Sequence, residues 1–322
     1  MITLVTGGAG FIGSNLVQHI IKKNHRIIIL DNFSSSKSDS RSMFDNYQNI
    51  EVFDDSIMNK AKVDELMSRS NLCFHLAASL GVERINKQAA IALETNIKGT
   101  EIVLKSAAKY GVKTLLASSS EIYGRNPIMP LHENSDRVLG SPNIARWTYS
   151  EAKAIDEFFA FDLAHKMSLQ VVIARLFNTV GPRQSGQYGM VLPRFIDSAL
   201  RNEPLIVYGD GSQTRSFCSV KDVAKALNLL INCDNAIGQV FNIGSNNEIT
   251  ISELANRVIY LTKSKSKIEF RPYSEIYGIN FEEPMRRVPD ISKILSYIDW
   301  HPTTDLDNLI VEIVDYKIKN DI

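Results

Sequence analysis

A glycine-rich turn near the start of the chain constrains its fold more than any other feature of the sequence. The turn follows Ile2–Thr6, a short apolar run typical of a buried strand, and precedes Ser14–Lys23, an amphipathic segment that predicts a helix. Glycines in such a turn let the backbone approach a pyrophosphate, and the helix N-terminus binds its negative charge. This order therefore predicts a dinucleotide-binding unit. The contacts predicted from the turn are Gly7, Gly10, Phe11, Ile12 and Gly13.

The acidic residue Asp31 indicates which dinucleotide is bound. It ends a second predicted strand, Arg26–Leu30, and lies about 20 residues beyond the glycines, where a carboxylate accepts the ribose hydroxyls. The same carboxylate would repel a 2′-phosphate, so the sequence predicts NAD rather than NADP. The alternative is a surface aspartate in a βα loop with no role in binding.

Strands and helices alternate through the first half of the chain. Strands are predicted over Ile50–Phe53, Leu72–Leu76 and Thr114–Ala117, and a long helix over Ile91–Tyr110. This alternation predicts an α/β fold, a doubly wound parallel sheet of the Rossmann type. Ligands lie beyond the carboxyl ends of such strands. Further candidate NAD contacts are Asn32, Asp55 and Ser56 (with Asp54 an equal candidate), Leu76, Ala77, Ala78 and Asn96.

Tyr149 and Lys153 form a Tyr-x-x-x-Lys pair, one turn apart on the same face of a predicted helix. A phenol has a pKa of about 10, so it is a poor base at neutral pH. A nearby ammonium and the positive ring of an oxidised nicotinamide both favour the phenolate. The pair therefore predicts a tyrosine that takes a proton from an alcohol as hydride leaves. The alternative is that both side chains simply belong to an exposed helix face.

The composition argues against several other classes of function. The formal net charge is zero, which gives no bulk electrostatic case for binding nucleic acid or a membrane. No apolar run approaches the roughly 18 residues of a membrane span, and the N-terminus has no basic region typical of a signal peptide. The cysteines Cys73, Cys218 and Cys233 fit no zinc pattern, so we expect no metal site and reduced thiols in a cytoplasmic protein.

Several longer motifs give the chain a family resemblance. They are Leu76-Ala77-Ala78, Ser118-Ser119-Ser120-Glu121-Ile122-Tyr123-Gly124, the Tyr149/Lys153 pair, the run from Arg175 to Arg183, and Val207-Tyr208-Gly209-Asp210-Gly211. With the glycine turn, they make the chain resemble the extended short-chain dehydrogenase/reductase family, in particular its nucleotide-sugar epimerases, dehydratases and decarboxylases. The resemblance covers nearly the whole chain and implies an enzyme that oxidises a sugar at C4 with NAD.

The resemblance also implies roles for residues at matching positions. Tyr149 would take the proton of the sugar 4-hydroxyl, and Lys153 would hold the nicotinamide ribose and lower the pKa of Tyr149. Arg215 and Arg287 look like the two arginines that clamp the diphosphate, which needs planar, always charged donors. The alternative for each arginine is an exposed surface position. The other implied substrate contacts are Ser119 or Ser120 at the same sugar oxygen, Asn178 at the diphosphate, Val191 and Tyr208 at the base, and Arg183.

Glu121 bears on the reaction that follows the oxidation. Many 4-epimerases have a small or neutral residue at this position, whereas dehydratases and decarboxylases of the family have glutamate. Ser120 stands where dehydratases with an Asp-Glu pair have aspartate. The stretch from Leu139 to Ser150, with its Arg-Trp-x-Tyr-Ser core, resembles bacterial UDP-glucuronate decarboxylase. In the decarboxylases the residues matching Ser120, Glu121 and Arg215 are catalytic.

The resemblance therefore favours a UDP-glucuronate decarboxylase and leaves three alternatives open. The run Gln184–Gly189 departs from the decarboxylases, which keeps a UDP-sugar 4-epimerase in view. An NDP-sugar dehydratase, acting by 4,6- or 5,6-elimination, is the second alternative. A non-catalytic NAD-sensing protein is the third, although such proteins usually lose the tyrosine or the lysine.

The same pattern predicts domains and assembly. Residues 1–180 are predicted as the NAD-binding Rossmann domain, joined by a returning strand near 239–243, and residues 181–322 mainly as the nucleotide-sugar-binding domain. The helices Ile91–Tyr110 and Ser150–His165 carry apolar residues at helical spacing. In the family such helices pair with a second subunit as a four-helix bundle, so we expect a homodimer. The alternative is that all these residues are internal core.

Overall fold

A seven-stranded sheet forms the centre of the computed structural model. The structure describes residues 1–21, 25–34, 40–79, 82–186, 190–277 and 282–320. For residues 82–89 and 276–277 it describes the backbone alone. The strands are β1 Ile2–Thr6, β2 Arg26–Asp31, β3 Ile50–Asp54, β4 Leu72–His75, β5 Lys113–Ser119, β6 Val171–Leu176, β7 Thr179–Val180, β8 Leu205–Tyr208, β9 Thr214–Ser216, β10 Cys218–Ser219, β11 Val240–Ile243, β12 Glu248–Thr250 and β13 Ile268–Arg271.

Helices connect most of these strands. They are α1 Phe11–Ile20, α2 Lys60–Ser68, α3 Val82–Tyr110, α4 Thr148–Met167, α5 Val191–Leu200, α6 Val220–Ile231, α7 Ile251–Thr262, α8 Tyr273–Tyr277, α9 Ser292–Tyr297 and α10 Leu306–Lys319. Short 3₁₀ helices at Ser120–Tyr123 and Ala145–Trp147 lie directly before or after elements that carry site residues. Within the described residues, no helix is both long and apolar enough to cross a membrane.

The central sheet has the strand order β11-β6-β5-β4-β1-β2-β3, and all its pairs are parallel. Because β1 pairs with β2 on one side and β4 on the other, the winding reverses beside β1. Ligands of open α/β sheets bind at this reversal, outside the carboxyl ends of the strands. The predicted doubly wound Rossmann fold is confirmed.

Apolar side chains on both faces of the sheet explain the nearly continuous hydrophobic strands. Val5 and Ile29 are fully buried against α1 and α6 on one face, and Leu4 and Ile28 against α2, α3 and α4 on the other. A separate apolar cluster lies between α5, α7 and α10, with Phe195 among its buried side chains. The second half of the chain thus has its own core, while β11 returns to the edge of the central sheet beside β6.

Three helices begin earlier than the sequence predicts, and for α4 the difference is two residues, Thr148 instead of Ser150. α1 begins at Phe11 instead of Ser14, because Gly10 already has the extended backbone of an N-cap. The end of that prediction, Lys22 and Lys23, lies outside the described residues. α3 begins at Val82 instead of Ile91. The residues between these two positions are largely polar, so the apolar period that identified the helix begins only at Ile91.

Candidate active site

A cavity of about 920 Å³ opens at the carboxyl ends of β1, β4 and β5, on the side that faces α5 and α10. Every residue predicted to be catalytic, cofactor-binding or substrate-binding lines this cavity, except Asn96 and Asp54, the alternative candidate to Asp55 and Ser56. Short local motifs that are far apart in the sequence thus meet in one place. The parallel sheet accounts for this, since it delivers the ends of successive strands to one edge.

The glycine turn lies at one end of the cavity and needs its glycines for steric reasons. Gly7 has a left-handed backbone with φ of 70°, and a Cβ there would lie 2.7 Å from the backbone nitrogen of Ala77. A Cβ on Gly13 would collide with the Gly7 carbonyl. Gly10 caps α1 without any side-chain hydrogen bond, so the helix N-terminus faces the cavity with its N–H groups available to an anion.

Asp31 is fixed beside this turn. Its Oδ2 accepts a hydrogen bond from the Ala9 N–H at 2.9 Å, and its Oδ1 accepts one from the Phe33 N–H at 2.8 Å. Burial raises the pKa of Asp31, while the two backbone donors oppose that change. Three more predicted contacts, Asn32, Asp55 and Ser56, line the same end. A helix N-terminus for the pyrophosphate and a carboxylate for the ribose make this end of the cavity fit NAD.

Asn96 hydrogen-bonds to Ser79, a residue in the wall of the cavity. Its Oδ1 accepts from the Ser79 N–H at 2.6 Å, and its Nδ2 donates to the Ser79 carbonyl at 3.2 Å. The side chain is 2% exposed and lies behind the loop that contains Leu76, Ala77 and Ala78. Asn96 therefore holds this loop through Ser79 and does not itself line the cavity.

Tyr149 and Lys153 lie one turn apart near the N-terminus of α4, as predicted. The Tyr149 hydroxyl hydrogen-bonds to Ser119, which ends β5. Burial raises the pKa of Tyr149 well above its usual value, and the carboxylates of Glu121 and Asp156 raise it further. The Lys153 ammonium donates to Asp156 Oδ2 at 3.1 Å, and both groups are buried.

A row of hydrogen-bonded, buried polar side chains lies near Lys153. His75 hydrogen-bonds to Thr100 through Nε2 at 3.0 Å and to Thr6 through Nδ1 at 2.7 Å, and Thr6 accepts from the Ala77 N–H at 3.3 Å. Burial, with the charge of Lys153 adding to it, lowers the pKa of His75 to about 3. His75 is therefore neutral, and through Thr6 it connects α3 to the loop that contains Ala77.

Five charged side chains, Glu121, Arg146, Arg215, Glu283 and Arg287, form an arginine–glutamate cluster at the other end of the cavity. Glu121 Oε1 accepts from Arg287 Nη1 at 2.5 Å, and Glu121 Oε2 lies 3.2 Å from Arg146 Nη1. Arg215 Nη2 donates to Glu283 Oε1, and Arg146 Nη2 lies 3.7 Å from Glu283 Oε2. The two predicted arginines and the predicted glutamate are thus joined by two residues that the sequence did not assign to the site.

The cluster keeps Glu121 ionised. Burial alone would raise the pKa of Glu121, but Arg146, Arg287 and Arg215 together lower it to about 2. Burial lowers the pKa of Arg215, and only part of that effect is offset by Glu283. Three guanidinium groups face two carboxylates, so this end of the cavity favours an additional anion.

The remaining predicted contacts divide between the two ends. Asn178 donates to the Ser216 carbonyl at 2.8 Å, next to Arg215. Tyr208 accepts from Arg194 Nη1 at 2.7 Å, facing Val191 at the start of α5 across the cavity lining. Arg183 instead donates to Gln18 of α1 at 3.1 Å. Arg183, predicted as a substrate contact, therefore lies beside α1 and lines the cavity there.

Comparison with known proteins agrees with this geometry. The family model described as GDP-mannose 4,6 dehydratase matches residues 4–313 of the chain. The chain belongs to the extended short-chain dehydrogenase/reductase family. It is therefore a nucleotide-sugar-modifying enzyme that depends on NAD, and the predictions of family, enzyme class and cofactor are confirmed. NAD, when bound to such an enzyme, accepts a hydride from the sugar and later returns it.

Three relatives of this short-chain dehydrogenase/reductase are informative. The UDP-N-acetyl-alpha-D-glucosaminuronate decarboxylase of Bacillus cytotoxicus is 38% identical over 99% of this chain and 98% of its own. UDP-glucuronic acid decarboxylase 4 of Arabidopsis thaliana is 34% identical over 94% of this chain, which spans 65% of the plant protein. The structure of UDP-glucuronic acid 4-epimerase from Bacillus cereus, in complex with UDP-glucuronic acid and NAD, superimposes over the whole of both chains with a TM-score of 0.89 at 26% identity.

Proposed function

We propose that this enzyme decarboxylates a UDP-linked uronic acid through a 4-keto sugar, with UDP-glucuronate as the first candidate. The observation that carries the proposal is Glu121, an ionised carboxylate among three arginines, two residues beyond the serine that hydrogen-bonds to Tyr149. The two curated relatives described above, both uronate decarboxylases, support the same reaction.

The chemistry requires little beyond positioning once C4 is oxidised. Tyr149 takes the proton of the 4-hydroxyl as the C4 hydride leaves to the NAD that the glycine turn would hold, and the resulting ketone makes the C5 carboxylate a β-keto acid. The C5–C6 bond then breaks, carbon dioxide leaves, and the electron pair moves onto the C4 oxygen as an enolate. A proton from solvent adds at C5, and Tyr149 returns its proton to O4 as the hydride returns to C4 and the alcohol is restored. The arginine–glutamate cluster holds the anionic groups of the sugar nucleotide throughout.

A product assay tests this proposal. The purified protein is incubated with NAD and, separately, UDP-glucuronate, UDP-N-acetylglucosaminuronate and UDP-glucose, and the products are identified by mass spectrometry. We expect one of the uronates to lose carbon dioxide, and which of the two reacts faster assigns the substituent at C2. Glu121→Gln should slow this loss, because it removes the counter-charge of the three arginines that hold the substrate, whereas Glu269→Gln, at a half-exposed glutamate of β13, should leave it unchanged. Turnover of UDP-glucose with neither uronate decarboxylated would refute the proposal.

A 4-epimerase is the second candidate, and a specific observation favours it. The Bacillus cereus UDP-glucuronic acid 4-epimerase shares the whole fold with this chain. An epimerase must only rotate the keto sugar and return the hydride to its other face. In the same assay it gives an isomer of UDP-glucuronate with unchanged mass.

The domains, assembly and location form a further part of the proposal. We propose that residues 1–180 with the strand at 239–243 bind NAD, and that 181–322 mainly bind the nucleotide sugar, since the second half has its own apolar core.

A homodimer through α3 and α4 is supported by Phe158, which is 69% exposed on α4. Three unpaired cysteines, Cys73, Cys218 and Cys233, support a cytoplasmic location.

A further inference from the structure

The carboxylate of Glu283 lies between two arginines of the active-site cavity. Arg215 donates to one of its oxygens, and Arg146 Nη2 lies 3.7 Å from the other. The two guanidinium side chains are 8% and 9% exposed, and that of Glu283 is 20% exposed. Arg146 stands three residues before Tyr149, so Glu283 reaches the cations nearest to the reacting end of the cavity.

The neighbouring glutamate has a different function. Glu282 accepts hydrogen bonds from Trp147 Nε1 at 2.9 Å and from Arg125 at 3.0 Å. Gly140 makes room for this carboxylate, since a Cβ there would collide with it. Glu282 does not line the cavity, whereas Glu283 does. The backbone of this segment is thus anchored at Glu282, and the Glu283 side chain can leave Arg215 without moving that anchor.

The cluster around Glu283 retains capacity for anions. Arg287 is 4% exposed, and among the described residues its Nε and Nη2 have no hydrogen-bond partner. Arg287 and Arg215 both line the cavity. A buried cation is costly unless a counter-charge pairs with it. Either Glu283 or an anionic group of a ligand must therefore meet Arg215.

We propose that Glu283 is an exchangeable counter-ion, which an anionic group of the nucleotide sugar replaces on Arg215 and Arg146 during binding. The inference rests on the proposed function, because the UDP-linked uronate supplies that group. The diphosphate and the C5 carboxylate are both oxyanions that arginine binds through paired hydrogen bonds. In either case Glu283 competes with the substrate and lowers its affinity, and it selects against ligands too weakly anionic to displace it.

A binding comparison tests the exchange without requiring turnover. The dissociation constants of UDP, UDP-glucose and UDP-glucuronate are measured by calorimetry for the NAD-loaded Tyr149→Phe protein, which does not turn the ligands over, and for the same protein with Glu283→Gln, which keeps the shape and removes the charge. We expect binding to tighten roughly five- to tenfold in the variant. Equal tightening for all three ligands identifies the diphosphate as the displacing group. Tightening confined to UDP-glucuronate identifies the C5 carboxylate.

Glu282→Gln is the matched control, since the same change at the adjacent residue removes no partner of Arg215 and should not tighten binding. Glu283→Ala carries the same expectation as Glu283→Gln if the glutamine variant does not fold. Unchanged or weaker binding in the Glu283 variant would overturn the exchange, as would a failure of the Tyr149→Phe protein to bind any of the three ligands. Tighter binding in the variant without release of carbon dioxide by the wild type would leave the exchange standing and remove the proposed reaction.

Discussion

The pKa of Glu121 is decided by its neighbours and not by its burial. Burial favours the neutral acid, yet three guanidinium groups lower the pKa from its usual 4.5 to about 2. A carboxylate whose pKa is lowered by folding stabilises the folded state above its unfolded pKa. That contribution is lost as pH falls through the folded pKa, here between about pH 4.5 and 2.

Acid unfolding of Glu121→Gln follows from this. The wild type should be more stable than the variant at pH 7, because glutamine leaves the arginines without a counter-charge. The difference should shrink as pH falls from 4.5 towards 2, where the wild-type carboxylate also becomes neutral. Urea unfolding at a series of pH values measures the two curves. Curves that stay parallel down to pH 2 would contradict the ionised state of Glu121.

Arg146→Met tests the same carboxylate through the reaction. Arg146 is the leading cation that lowers the pKa of Glu121, so its removal raises that pKa. If ionised Glu121 is needed for turnover, the acid limb of the pH profile of kcat/KM should move to higher pH. Arg201→Met, at an exposed arginine paired with Glu203, serves as the control and should keep the wild-type midpoint. An unmoved midpoint in Arg146→Met would separate Glu121 from catalysis.

Tyr149→Phe should abolish most of the turnover and leave NAD binding intact. A positioned general base contributes about 10²–10⁴-fold to rate, so kcat should fall by that factor. NAD binding should be retained, since the glycine turn and Asp31 are unchanged, and calorimetry checks this. Tyr110→Phe, at the exposed end of α3, should behave like the wild type. Loss of NAD binding in Tyr149→Phe would instead assign the tyrosine a structural role.

At the scale of helices and strands, the sequence predicts what is local. Each strand and the turn that follows it lie within a short stretch of sequence. The glycine turn, Asp31 and the segment from Ser119 to Glu121 could therefore be assigned to the site from the sequence alone. Arg146 carried a weak signal, three residues before Tyr149. Glu283 carried none, because its partner Arg215 is 68 residues away and only the tertiary fold joins them. The pairing of Lys153 with Asp156 is local, three residues along α4, whereas the burial of both groups depends on the tertiary fold.

Gly13→Ala tests the packing of α1 against the glycine turn. Alanine is favoured over glycine in a helix by about 1 kcal/mol, so a purely local effect would stabilise the protein. The new Cβ would instead collide with the Gly7 carbonyl. We expect a lower Tm and NAD binding weakened by at least about tenfold, the effect of 1.4 kcal/mol. Lys166→Ala, at an exposed position near the end of α4, should leave NAD binding unchanged. Wild-type NAD affinity in Gly13→Ala would show that the turn can accommodate the added Cβ.

At the scale of the whole molecule, the outer face of α4 is the feature that the single chain does not explain. Phe158 and Phe161 lie three residues apart on that helix and are 69% and 40% exposed. Residues three apart share a helix face. Exposed apolar residues grouped in this way mark an interaction surface, whereas the same helix is packed on its sheet-facing side.

Phe158→Glu should therefore dissociate the proposed dimer. In a twofold-symmetric interface each substitution acts twice, and burial of a phenylalanine contributes roughly 1.5–3 kcal/mol. Two lost contacts correspond to a rise of at least about 100-fold in the dimer dissociation constant, since each 1.4 kcal/mol is a factor of ten. Sedimentation velocity over a range of protein concentrations measures this. Tyr260→Glu, at a position 74% exposed on α7, introduces the same charge away from α3 and α4 and should leave the dimer intact. A Phe158→Glu protein that remains dimeric at the concentrations where the wild type is dimeric would place the interface on another surface, and the exposed phenylalanines would then need a different partner.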